Sequence, residues 1–256
     1  MKKLMIAASV AICAVAGFAL ESSNVVGYNT LKTEAGAMNI YGSQWTTVDG
    51  NAISIQDITL PVADCTDIGE TMMVYTPGVG YAEYFYYTDT IKDLSVPEEE
   101  WESMGPGWAT GDGEYVDITL PTGSAYWLKT TDAKTFTVSG AVAKNEGELK
   151  TVGGMMSLYA IPFPVNGNIQ DVKLAVADCT DIGETMMVYT PGTGYAEYFY
   201  YTDTIKDLSV PEENWESMGP GWATGDGEYV SITFPVGSGF WLKTTDAKTF
   251  TVASPL

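Results

Sequence analysis

The chain is 256 residues long, 45% hydrophobic and only 18% charged, with 33 acidic residues against 12 lysines, no arginine and no histidine, for a formal net charge of -21. That balance excludes nucleic-acid binding and polybasic membrane attachment, which need clustered cations. The lack of histidine excludes Ser-His-Asp and Cys-His nucleophile systems, histidine metal ligation and imidazole proton transfer, leaving an acidic, aromatic-rich globular protein too apolar to be a disordered tail.

Lys2 and Lys3 precede an apolar run, Leu4 to Phe18, that closes on the small-x-small triplet Gly17-Phe18-Ala19. This is the pattern of a secretory signal peptide occupying residues 1–19, and the run is shorter than the roughly 20 residues a spanning helix needs. The expectation is a secreted chain from residue 20, extracellular or associated with the cell surface, with no integral membrane span.

Segments rich in Val, Ile, Thr, Tyr and Phe then follow at spacings near ten residues, each ended by turn residues. Strands are predicted over Asn24 to Thr33, Ala37 to Gly42, Glu70 to Thr76, Gly80 to Thr88, Tyr115 to Leu120, Ser124 to Thr130 and Thr135 to Val138. Pro77-Gly78, Gly105-Pro106-Gly107, Gly111-Asp112-Gly113 and Pro121-Thr122-Gly123 read as the turns between them. In Thr135-Phe136-Thr137-Val138 the alternation places Phe136 and Val138 on one face, as in a half-buried antiparallel strand. Helical signals are short, at Ser54 to Ile58 and at Pro97 to Met104, where Pro97 suits a first helical position ahead of Glu98, Glu99 and Glu100.

The whole pattern is then repeated. Cys65 to Val138 lies over Cys179 to Val252 without a gap at an offset of 114, with seven substitutions in 74 positions: Val79/Thr193, Glu100/Asn214, Asp117/Ser231, Leu120/Phe234, Thr122/Val236, Ala125/Gly239 and Tyr126/Phe240. Upstream the offset is 118, Leu31-Lys32-Thr33 answering Leu149-Lys150-Thr151, so the first copy carries four extra residues between Met38 and Ile55. A unit of this size is a domain rather than a solenoid repeat. We therefore expect an all-β protein of two tandem antiparallel β-sandwich domains, residues 20–143 and 144–256, with partly open β-barrels as the alternative architecture.

Three constellations are candidates for function. Cys65 and Cys179 are the cysteines outside the leader and occupy equivalent positions; an internal disulfide, two buried thiols or an intermolecular link are all compatible with an oxidising compartment. Asp64, Asp67 and Glu70, with their equivalents Asp178, Asp181 and Glu184, form acidic clusters that would offer calcium its oxygen ligands, although no D-x-D-x-D-G loop occurs and a solvated surface is the simpler use. Tyr81, Tyr84 and Tyr86 with Trp101 and Trp108, mirrored by Tyr195, Tyr198, Tyr200, Trp215 and Trp222, would give an aromatic face able to stack on sugar rings, unless they are buried as a cross-strand ladder. No catalytic residue and no organic cofactor is indicated.

Gly153-Gly154-Met155-Met156-Ser157-Leu158-Tyr159-Ala160-Ile161-Pro162-Phe163-Pro164, then Met187-Val188-Tyr189, then Pro235-Val236-Gly237-Ser238-Gly239-Phe240-Trp241-Leu242 and Thr249-Phe250-Thr251-Val252, resemble a secreted bacterial module with a G-W-N-L-I-S-L-P opening, a V-Y strand, a P-G-x-G-[YF]-W-[VL] strand and a closing T-x-T-V-x-G strand. Glu21-Ser22-Ser23-Asn24-Val25-Val26-Gly27-Tyr28 is similar to the opening of exported, mostly uncharacterised proteins that carry it. The first copy departs at Asn39-Ile40-Tyr41-Gly42-Ser43-Gln44-Trp45, which lacks the I-P-F-P run. The resemblance implies an extracellular β module and no chemistry. The function expected is that of a non-enzymatic structural or adhesive component of the cell surface or extracellular matrix, partnered by itself or by other surface proteins; the alternative is a carbohydrate-binding module that uses the aromatic faces on glycans.

Overall fold

The computed structural model describes residues 26–61, 70–76, 79–87, 97, 106–174, 184–190, 193–201, 211 and 220–255. The expected signal peptide at residues 1–19, Cys65 and Cys179, and the helix expected after Pro97 lie outside the described residues. In the first repeat the strands are β1 (Val26–Lys32), β2 (Met38–Gly42), β3 (Ile53–Ser54), β4 (Glu70–Thr76), β5 (Gly80–Tyr87), β6 (Gly107–Ala109), β7 (Thr119–Leu120), β8 (Ala125–Lys129) and β9 (Thr135–Ala141). The second repeat has β10 (Gly147–Lys150), β11 (Met156–Ala160), β12 (Gly167–Asn168), β13 (Lys173–Leu174), β14 (Glu184–Thr190), β15 (Gly194–Tyr201), β16 (Gly221–Ala223), β17 (Thr233–Phe234), β18 (Gly239–Lys243) and β19 (Thr249–Val252).

Each repeat is built on one five-stranded antiparallel sheet, in the order β2-β8-β4-β5-β6 in the first and β11-β18-β14-β15-β16 in the second. Against it lie the ladder of β1 on β9, or of β10 on β19 and β13, and a short pair, β3 with β7 or β12 with β17. None of these sheets closes on itself into a barrel, so the class is the antiparallel β-sandwich; the ladders among the described residues join strands of the same repeat, and single bridges, Tyr41 with Ser238 and Ser124 with Tyr159, cross between repeats. Register repeats as well: Met72 faces Tyr84 and Leu128 in one copy, Met186 faces Tyr198 and Leu242 in the other.

The core follows from the alternation. Phe136 and Val138 are buried while Thr135 and Thr137 are exposed. Tyr41 from the large sheet stands edge-on to Phe136 of the smaller one at 5.6 Å, and in the second repeat Tyr200 and Trp222 meet Phe250 at 6.0 and 5.9 Å.

Two expectations are corrected. The strand predicted from Tyr115 to Leu120 is ordered as a strand only at Thr119–Leu120, because the Val116 carbonyl accepts from the Gln56 side chain instead of from a neighbouring strand. Gly107, assigned to a turn, begins β6, whose Trp108 is fully buried.

Both corrections trace to one node. The signal at Ser54 to Ile58 forms a 3-10 turn, Ile55–Asp57, closed by a capping box in which Ser54 Oγ accepts from the Gln56 N–H and the Asp57 carboxylate accepts from the Ser54 N–H. The turn aims Gln56 inward, where its amide donates to the carbonyls of Trp108 and Val116 and accepts from the Trp108 N–H, while Trp108 Nε1 donates to the Ile58 carbonyl at 2.7 Å. Gln170 and Trp222 repeat every bond. Buried backbone groups at a sheet edge are costly if left unpaired, and here one side chain satisfies three of them. Gln56→Ala is therefore expected to destabilise the first repeat by about 3 kcal/mol or more, read as a lowered urea midpoint, whereas Gln56→Glu keeps the acceptor but loses both donated bonds and falls at least as far.

Candidate functional site: the face between the repeats

The predicted aromatic face divides in two. Strand β5 turns Tyr86 inward, where it meets Trp108 edge-on at 5.1 Å, and Tyr200 meets Trp222 at the same distance. Trp108 and Trp222 are 0% exposed, Tyr86 and Tyr200 3%. These four side chains are core rather than a stacking platform, because pleating sends alternate residues of a sheet with one covered face into that cover. Tyr84 and Tyr198 are half-buried against the same core. Tyr81 and Tyr195 lie on the other face, tilted over Tyr75 and Tyr189 at 5.0 and 5.2 Å, and stay 39% and 47% exposed. Trp101 and Trp215 lie outside the described residues.

The acidic clusters are represented by Glu70 and Glu184, since Asp64, Asp67, Asp178 and Asp181 lie outside the described residues. Both glutamates are buried and already engaged. Glu70 accepts from the Thr131 N–H at 2.7 Å and from Thr131 Oγ1, and pairs with Lys134 Nζ at 3.0 Å; Glu184 does the same with Thr245 and Lys248. These carboxylates pin the β8–β9 turn and its counterpart to the sheet, and among the described residues no three acidic, cysteine or histidine side chains converge as a metal site. Removing one partner of a buried ion pair strands the other charge. Glu70→Gln should cost about 3 kcal/mol, with Lys134→Met restoring part of the loss in a double-mutant cycle followed by thermal unfolding.

Sequence reasoning missed the surface where the repeats meet. Trp127 and Trp241, on the outward face of the two large sheets, approach each other at 6.1 Å, and Tyr81 stands edge-on to Trp241 at 6.2 Å. Ala125, Leu158 and Ala160 are buried among them, flanked by Ile40. The Gly42 N–H donates to the Gly237 carbonyl at 2.7 Å and the Ala160 N–H donates to the Gly123 carbonyl at 2.8 Å. Since Gly42 answers Ala160 and Gly123 answers Gly237, the two bonds are one contact made twice about a local twofold. Leu31 packs on Gly237 as Leu149 packs on Gly123, at turns where the glycines hold φ of +81° and +87°. The twofold breaks at Gln44, which accepts from the Gly237 N–H and the Asn29 amide and donates to the Ile161 carbonyl. The alternation of Tyr126-Trp127-Leu128, inward-outward-inward, was the available signal for an outward tryptophan.

Two equivalent clefts flank this contact. One, of about 670 Å³, runs between Tyr75 on β4 and Leu149 and Tyr159 of the second repeat, floored by Pro121-Thr122-Gly123. The other, of about 560 Å³, runs between Tyr189 and Leu31 and Tyr41 of the first repeat, floored by Pro235-Val236-Gly237. The hydroxyl of Tyr41 donates to the Lys32 carbonyl at 2.7 Å and that of Tyr159 to the Lys150 carbonyl at 3.0 Å. Burial, with a smaller contribution from Glu34, pushes Tyr41 up to about 12; burial also raises Tyr126, whose ring stacks on Tyr41 at 6.1 Å, and Tyr159. A tyrosine held neutral by folding stabilises the native state below its unfolded value near 10, and that stabilisation is lost as pH rises through the folded value. The urea midpoint should accordingly fall from about pH 10 towards 12, and Tyr41→Phe should flatten that slope.

No family model, curated protein or solved structure matches the chain.

Proposed function

We propose that this chain is a secreted, non-enzymatic structural or adhesive protein of the cell surface or extracellular matrix, acting through its duplicated β modules. The observation that carries the reading is the outward face of each large sheet, which serves as a contact surface for another β module through Trp127, Trp241 and a pair of backbone hydrogen bonds. The residue types that would otherwise suggest chemistry are used within the fold: Glu70 and Glu184 in ion pairs, Trp108 and Trp222 in the core. The sequence resemblance to exported bacterial modules and the apolar leader support the extracellular setting. High negative charge holds copies apart, which makes divalent cations the natural trigger for association. Light scattering of residues 20–256 on a sizing column is expected to give concentration-dependent oligomers that grow with calcium and shrink with chelator. A strict monomer in both buffers would remove self-assembly from this reading.

A second reading is supported by the clefts. Each has a volume in the range of small-ligand sites, and a tyrosine pair stands beside it, half-buried Tyr75 with exposed Tyr81 or Tyr189 with Tyr195, both exposed. A glycan bound there would change tryptophan emission through Trp127 and Trp241, and Tyr75→Ala combined with Tyr189→Ala would abolish the change. A folded monomer silent across a glycan array would exclude it.

A further inference from the structure

Residues that answer one another in the two repeats touch each other at the centre of the interface. Gly42 lies on Ala160, its own counterpart, and Gly239 lies on Ala125, its own counterpart. At both places one side is glycine and the other alanine, and there is no room for two methyl groups. A Cβ added to Gly42 would overlap the Ala160 methyl carbon and come 3.0 Å from the Ser238 carbonyl oxygen; one added to Gly239 would overlap Ile40 Cγ2 and come 2.8 Å from the Ala125 methyl carbon. Neither glycine has a positive φ, so the space, not the backbone, demands glycine there.

Consider what a contact between two like repeats would require. Docking a first repeat on another first repeat by this face sets Gly42 on Gly42, which is permitted, but Ala125 on Ala125. Docking a second on another second sets Gly239 on Gly239, but Ala160 on Ala160. Each like pairing meets one alanine–alanine collision, and only the unlike pairing avoids both. The Ala125/Gly239 difference is one of just seven in the 74 aligned positions, and it sits on the local twofold opposite the Gly42/Ala160 difference.

We propose that the repeats are a matched pair: the glycine–alanine complementarity at 42/160 and 125/239 makes this face accept a second repeat on a first and reject like on like, within one chain or between copies that have opened. The partner of the face is thus the complementary repeat of this same chain. The inference rests on the interface alone and does not depend on the surface role proposed above.

The experiment exchanges one glycine–alanine pair in the full secreted chain, residues 20–256. Gly42→Ala alone should lower the melting midpoint by roughly 3–10 °C and increase the radius of gyration in small-angle X-ray scattering as the repeats undock. Ala160→Gly alone should leave the scattering curve unchanged. The double variant Gly42→Ala with Ala160→Gly puts the methyl on the opposite side of the same gap, and is expected to recover both the radius and most of the midpoint. Far-UV circular dichroism separates undocking, which leaves the strand signal intact, from loss of fold. Recovery in the double variant, including recovery from a single variant that does not fold, supports the matched pair. Effects that simply add, a Gly42→Ala chain that behaves as wild type, or a double variant that fails as badly as Gly42→Ala would each overturn it.

Discussion

Close approach of two sheets is the constraint on which the arrangement of this molecule depends. Gly42, Ala125, Ala160 and Gly239 let the backbones of β2, β8, β11 and β18 come near enough for Gly42 and Ala160 to donate main-chain hydrogen bonds across to the opposite repeat. Larger residues at those positions would part the sheets, and the Gly42–Gly237 and Ala160–Gly123 bonds could not form at 2.7 and 2.8 Å. The consequences spread outward from there. Trp127 and Trp241 are covered because the sheets are close, Leu31 and Leu149 find the turns at Gly237 and Gly123, and the flanking clefts exist because the contact is central and narrow.

Substitutions between the repeats make physical sense in this frame, mostly as compensated pairs. Leu120 and Tyr126 of the first repeat become Phe234 and Phe240, which stack at 4.9 Å, so bulk is moved between neighbours rather than lost. Asp117 becomes Ser231 where Ser54 becomes Asn168: in one copy the Ser54 hydroxyl donates to the carboxylate, in the other the Asn168 amide donates to the Ser231 hydroxyl, and the link from cap to loop survives with different chemistry. Thr122 and Val236 line the floors of the two clefts, which makes the clefts alike in shape and unlike in polarity.

Strands with clear alternation were legible from residue types: β4 and β5 begin and end within a residue of expectation, and Phe136 and Val138 point where a period of two requires. Short elements were not. β6 lies in a Gly-Pro-Gly segment that reads as a turn, and what makes it a strand is Gln56, more than fifty residues away, together with the burial of Trp108. The same blindness affected the site. Composition identified aromatic residues in β5 as a candidate face, but a strand buried on one side divides its aromatics between core and surface, and which side meets the core depends on the partner sheet. The inter-repeat contact was illegible for a further reason: small residues carry no chemical signal, and their meaning emerges only when two glycine–alanine steps, one at an offset of 118 and one at 114, are found opposite each other.

The end-to-end closure of each repeat bears on how the chain reaches this state. Strands β9 and β19 share the sequence Thr-Phe-Thr-Val, so β10, whose native partner is β19, meets the same sequence in β9, only a short connection behind it. Leu149 is 13 residues from Phe136 and 101 from Phe250, and short loops close faster and at lower entropic cost than long ones. A hairpin of β9 with β10 is therefore the local trap built into the duplication. What forestalls it is the ladder of β1 on β9, seven residues long against the four of β10 on β19, which occupies β9 along its whole length. Strand β1 thereby holds the edge of β9 that β10 would otherwise take, and β10 pairs with the matching strand of its own repeat, β19.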